Sequence, residues 1–276
     1  MSLETVIDFP CRVKKDLGRG DLRAGTAALL DLLSVKRRVE QIRATTRPDY
    51  LTVDLQVKVV RVIDGAPVEQ LTTLGQLEAE AVVLDPHVPT CTNCPVNALR
   101  QPFGCVVVVK YPIKKTAERW LLDRVQPLDT IGGAMCMETL IESGATGERS
   151  RDRRTRDHLE AFPGLKRAMG ANPYEKAELT ADELFEPLLI PSGKFVPWQA
   201  LNILLWFGAV KFDATIPTTA DEALKLARLD PADRAKRAKL FLGQVETDAG
   251  IEEVRGFLKA LFVGWVRDAD VLIDAQ

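Results

Sequence analysis

The chain has two histidines in 276 residues; neither sits in a helical H-E-x-x-H, and the H-x-E at 158–160 has no P-C-x-x-C after it, so the usual histidine-built catalytic zinc sites are not matched. His158 follows Asp157 and precedes Glu160, with no serine or cysteine placed beside it, so no triad follows and it reads as a helix-surface residue. A large net charge is also missing. Thirty-seven basic against 39 acidic residues leave a net charge of −2 and a pI near 5.9, with no global attraction to nucleic acid or anionic membrane. No apolar run reaches the roughly 20 residues of a membrane-spanning helix. The longest, "VPWQALNILLWFGAV" at 196–210, reads as a buried core helix. The start, "MSLETVIDFPCRVKK", has no signal-peptide pattern. Five cysteines, an odd number at uneven spacing, argue against a disulfide framework and for a reducing cytoplasmic setting. Repeats and low-complexity tracts are absent.

What is present is a 46% apolar, 28% charged composition, that of a globular chain of one or two domains. Period-two patterning predicts strands in the first part. In 5–14, Ile7, Phe9, Cys11 and Val13 alternate with polar residues, with Cys11 on the inner face and Pro10 suggesting an edge. Leu51, Val53, Leu55, Val57 and Val59 mark a second strand, "DGAP" a turn, and "LEAEAVV" at 77–83 a third. "VVVVKY", entered at Cys105 and closed by Pro112, reads as a central strand buried on both faces. Asp21 caps a helix through 22–43.

Beyond residue 113 helical signals dominate, with a strand only at "VLI", 271–273. Thr180 with Glu183 and Thr219 with Glu222 are capping boxes. Asp230–Pro231 and Pro197 open helices. Ile251, Val254, Phe257, Leu258, Leu261, Phe262 and Trp265 form one helical stripe, suited to a core or to a subunit interface. The expected fold is α+β: an N-terminal mixed or antiparallel sheet with helices over 1–112, then a mostly helical part over 113–276. The charged segment 143–157 is expected to be a loop or linker.

The densest chemical signal is "CTNCPVNALRQPFGC". Cys91 and Cys94 stand at C-x2-C spacing, which lets two thiolates on one tight turn reach one ion. Cys105 follows behind Phe103–Gly104. Tetrahedral zinc wants a fourth ligand. Cys11 is preferred, with His87 as the local alternative. Cys136, in "GGAMCMETL", reads as core filling. The predicted site is thus a closed structural zinc centre of Cys11, Cys91, Cys94 and Cys105. Unligated thiols in a loop, a redox dithiol or an iron–sulfur cluster are the alternatives.

A second signal is "RSRDRRTR", in which Arg149, Arg151, Arg153, Arg154 and Arg156 could meet nucleic-acid phosphates or form a solvated face. The glycine-bearing "DLGRGDLRAG", 16–25, lacks the Walker ending and reads as a turn with an aspartate cap. Together these features predict a cytoplasmic, zinc-braced protein for macromolecular recognition or assembly. Its expected partner is another protein or a second copy, with nucleic acid as a further candidate and no membrane. No catalytic residue is assigned.

Overall fold

The computed structural model describes residues 2–63, 66–110, 113–156, 165–169, 178–189, 193–213, 217–243 and 248–275. In chain order the elements are β1 (Ser2–Asp8), α1 (Arg12–Leu17), α2 (Leu22–Thr45), β2 (Gln56–Ile63), β3 (Ala66–Thr73), α3 (Leu74–Val82), α4 (Val88–Thr92), β4 (Val106–Lys110), α5 (Lys115–Arg124), α6 (Ile131–Glu142) and α7 (Glu148–Arg156). There follow β5 (Lys166–Ala168), β6 (Glu178–Thr180), α8 (Ala181–Leu189), β7 (Gly193–Phe195), α9 (Pro197–Trp206), β8 (Val210–Phe212), α10 (Ala220–Ala227), α11 (Pro231–Arg237), β9 (Ala238–Leu240), α12 (Ala249–Arg267) and β10 (Asp270–Ala275). The fold is α+β. No described helix is long and apolar enough to cross a membrane. The chain divides into two compact units: residues 1–9, 96–100 and 104–276, and residues 10–95 with 101–103.

The larger unit is organised on an antiparallel sheet in the order β4-β1-β10-β7, with Val6 opposite both Val106 and Leu272. Strands from both sides of residue 112 therefore share one sheet. Two expectations about it are corrected. β1 is internal, because the strand ends at Asp8 and Pro10 lies beyond it, where its missing N–H costs no ladder bond. β4 is terminal in the order rather than central. Its valines are nevertheless mostly buried, because α12 packs over it. Pro112 lies outside the described residues.

The apolar run is a helix as expected: α9 buries every residue from Ala200 to Trp206, with Trp206 Nε1 donating to Asn202 Oδ1 (2.9 Å). α12 carries the predicted stripe, its Trp265 fully buried and in edge contact with Phe212. The local caps form as the patterns require. Thr180 and Glu183 exchange bonds of 2.9 and 3.2 Å, Thr219 accepts from Glu222 N, and Asp230 accepts from Asp233 N at the head of α11. The segment expected to be a loop at 143–157 contains α7; its last residue, Asp157, and His158 lie outside the described residues.

In the smaller unit α2 begins where Asp21 accepts from Arg23 N (2.8 Å) and Ala24 N (3.2 Å). Val39 and Ile42 of α2 close a small core with Val57 of β2 and Leu74 and Leu77 of α3, Leu51 and Leu55 packing at its border. The strand expected from residue 51 starts only at Gln56 and pairs with β3 through the register Val57↔Thr72. Residues 64–65, the heart of the expected turn, lie outside the described residues. The "LEAEAVV" strand is instead helix α3. Thr73 and Gln76 make a reciprocal capping box, and Leu74, Leu77 and Ala81 fall on one buried helical face.

Candidate functional site

Three thiols and one ammonium gather in the smaller unit. Cys11 stands at the N-cap of α1 in extended backbone, not on a strand face as its alternation suggested: Pro10 breaks the strand and α1 starts at once. Its carbonyl accepts Lys15 N (3.1 Å). One turn into α1, Lys14 is 1% exposed. α1 packs against α4, which carries Cys91, 4% exposed. The C-x2-C closes as a tight turn in which Cys94 N donates to Cys91 O (3.2 Å). Cys11 and Cys94 are half-buried, and none of the five cysteines is in a disulfide.

The Cys91 thiol is pushed up to about 11, first by burial. A backbone hydrogen bond from Phe103 opposes that, the neighbouring Cys11 and Cys94 raise the value further, and Lys14 lowers it. Two inferences follow. The sulfurs of Cys11 and Cys94 lie within electrostatic reach of Cys91. Without a cation Cys91 is a thiol at neutral pH, which makes it a poor nucleophile. The Phe103 N–H is supplied from a left-handed backbone (φ 58°), a conformation that costs a residue with a side chain about 1–2 kcal/mol. An N–H aimed at sulfur stabilises thiolate over thiol.

Among the described residues no three His, Cys, Asp or Glu side chains are arranged to hold a metal ion as they stand. Cys105 belongs to the larger unit, where it is buried at the entrance to β4 and its carbonyl accepts Ile7 N (3.1 Å). Cys136 is fully buried on α6, in keeping with core filling. His87 is half-buried at the head of α4. Asp85, the carboxylate nearest Cys91 in sequence, pairs with Lys36 (3.3 Å). The 16–25 turn offers no anion cradle: Asp21 takes the first amides of α2.

The arginine run divides. Arg149 pairs with the buried Glu186 (2.6 Å), and Glu186 also accepts Gly147 N (2.6 Å). Arg151 donates to Thr146 O (3.2 Å). Arg154 is 6% exposed, bound to Asp182 (2.7 Å) and paired with Glu118. Buried among carboxylates, it cannot reach a phosphate. The side chains of Arg153 and Arg156 lie outside the described residues.

Lys14, Phe103, Glu118 and Asp182 were not singled out from sequence. Spacing could have found Lys14, three residues from Cys11 and therefore on the same helical face, had 5–14 been read as a strand that stops at Pro10. Compared with family models, with curated proteins and with solved structures, the chain has no match.

Proposed function

We propose that the smaller unit is a metal-braced module in which Cys11, Cys91 and Cys94 supply thiolates to one thiophilic cation, zinc in the first instance. In this reading the chain serves recognition or assembly, without turnover. The observation that supports it is that Cys11 and Cys94 both lie within electrostatic reach of buried Cys91, whose thiol also takes a backbone hydrogen bond from Phe103. The donor set fits a thiophilic ion by its chemistry: soft sulfur, a backbone N–H that favours thiolate, and a nearby cation that does the same. Cys11, Cys91 and Cys94 are the residues that would hold such an ion, Cys91 from a buried position and the other two from half-buried ones.

A divalent ion held there would supply two positive charges and favour the Cys91 thiolate against the burial that raises its pKa. Cross-linking residue 11 to residue 91 closes a loop of about 80 residues, and the chain-entropy relation gives such a closure about 4–5 kcal/mol. The recognition half of the proposal rests on the incomplete catalytic inventory of the sequence.

The test is metal analysis of anaerobically purified full-length protein and of Cys11→Ser, Cys91→Ser, Cys94→Ser and Cys105→Ser. About one zinc per chain, lost in Cys91→Ser, is the expected result. Iron with acid-labile sulfide moves the reading to an iron–sulfur cluster. Protein that is metal-free and takes up none overturns it.

A further inference from the structure

We propose that the outer edge of β2 is a homodimer interface: two copies of the chain pair β2 with β2, antiparallel about a two-fold axis at Val60, into one sheet of order β3-β2-β2-β3. The proposal takes up the assembly part of the reading above and is independent of its metal part.

Exposed apolar side chains point to the smaller unit. Of the eleven large ones exposed among the described residues, seven lie there. Val60 (62% exposed), Val68 and Leu71 belong to the β2–β3 hairpin. That hairpin is a sheet of two strands only, so each strand has an outer edge. Sheets of independent stability have three or more strands, or a helix packed on them.

The two edges differ. Leu74 N donates to Leu55 O (2.9 Å), which fixes the phase of the ladder. Residues 57, 59, 61 and 63 of β2 therefore turn their backbone groups toward β3, while Gln56, Lys58, Val60 and Val62 turn theirs outward. On β3 the outward positions are 67, 69, 71 and 73. Pro67 has no N–H, and Thr73 N donates to Gln76 Oε1 (3.0 Å), so two of the four donors on that edge are closed. β2 carries no proline and no bulge across eight consecutive pairs, so it lacks those two devices that blunt an edge. Gln56, Lys58 and Val60 are exposed along it.

A second copy is the partner this edge fits. Antiparallel pairing about a two-fold lets identical edges satisfy each other's N–H and C=O groups. Centred on Val60, the register sets Val60 beside Val60, Lys58 beside Val62 and Arg61 beside Val59. No like charges then stand directly opposite, whereas centring on residue 58 would oppose two lysines. Lys58 is bound to Glu69 of its own hairpin (2.5 Å), so its charge is already balanced when the copies meet.

The experiment is sedimentation equilibrium of the full-length protein over a range of concentrations, beside circular dichroism to confirm folding. Wild-type mass is expected to rise from 30.5 kDa toward twice that value as concentration increases. Val60→Pro removes one outward N–H from each copy and no bond to β3. Losing two hydrogen bonds at the axis is expected to weaken the dimer about 5–150-fold. Val60→Lys keeps every backbone group, opposes two cations at the axis and is expected to shift the protein to monomer. If Val60→Pro does not fold, Val60→Lys decides alone. Leu71→Lys, on the same face of the hairpin but on the other edge, is expected to leave the dimer unchanged. A wild-type protein of 30.5 kDa at every concentration overturns the proposal. So does a dimer that Val60→Lys leaves intact, and so does one that Leu71→Lys weakens as much as Val60→Lys. Zinc content of the same preparations keeps the two readings apart. A monomer that holds zinc overturns this proposal alone, and a metal-free dimer overturns the metal-braced reading alone.

Discussion

Replacing Arg154 by methionine tests whether the arginine-rich helix is held by its interior face. Arg154 lies 6% exposed between Asp182 and Glu118, themselves 2% and 1% exposed. Methionine keeps most of the volume and removes the charge, which leaves two carboxylates facing each other without a cation. Breaking a buried ion pair from one side costs about 3–5 kcal/mol. For a unit of this size each kcal/mol moves Tm by about 2–4 °C, so the expected loss is about 6–20 °C. The pH dependence sharpens the test. Burial raises the Glu118 carboxyl above its ordinary 4.5, and Arg154 opposes that rise. A carboxyl raised in the folded state binds its proton more tightly there. Its contribution to stability is therefore full below pH 4.5 and fades as pH rises through the folded value. Once Glu118 is neutral it no longer needs Arg154. The deficit of the variant should accordingly narrow on acidification toward pH 4.5. Calorimetry of both proteins across that range decides. A loss under about 1 kcal/mol at neutral pH, the range of surface ion pairs, would refute the reasoning, as would a deficit that grows with acid.

Other outcomes follow from the same geometry. Gly25→Ala drives a Cβ into the Lys14 carbonyl at 1.7 Å, so α1 must move; denaturant titration should show the smaller unit losing more than the about 1 kcal/mol that alanine's helix propensity would otherwise add. Asp21→Ala removes the acceptor for two amides of α2 and should cost about 0.5–2 kcal/mol in the same titration. Leu71→Lys, at a β3 position 75% exposed, should change stability by less than about 0.5 kcal/mol. Chelation of a bound ion should lower the midpoint for wild-type protein and leave that of Cys91→Ser unmoved.

Local signals in the sequence were the most readable. Asp21, the Thr180–Glu183 and Thr219–Glu222 pairs and Asp230–Pro231 act between side chain and backbone within four residues, so these caps depend on little beyond their own segments. Strands needed partners to be recognised. β5 and β6, or β8 and β9, are three-residue segments that exist because they pair, and no alternation of that length is distinctive. "LEAEAVV" fits a period of two and a helical face equally well, and the Thr73 cap, set by its neighbours, decided for helix. The four valines of β4 signalled burial correctly, but burial came from a helix lying over the strand and not from flanking strands. At the thiol site the cysteines were plain in the sequence. Lys14 was not, because a buried lysine is a consequence of tertiary packing. Nor could the arginine run reveal that Arg154 turns inward, since that depends on Glu118 and Asp182 arriving from distant elements.

The central claim is that sulfur from Cys11, Cys91 and Cys94 closes on one ion. X-ray absorption at the zinc edge of the purified, zinc-loaded protein tests it most directly. The expected spectrum is a shell of three or four sulfurs at about 2.3 Å that loses sulfur in Cys91→Ser. A shell of nitrogen and oxygen only, unchanged in that variant, would contradict the account.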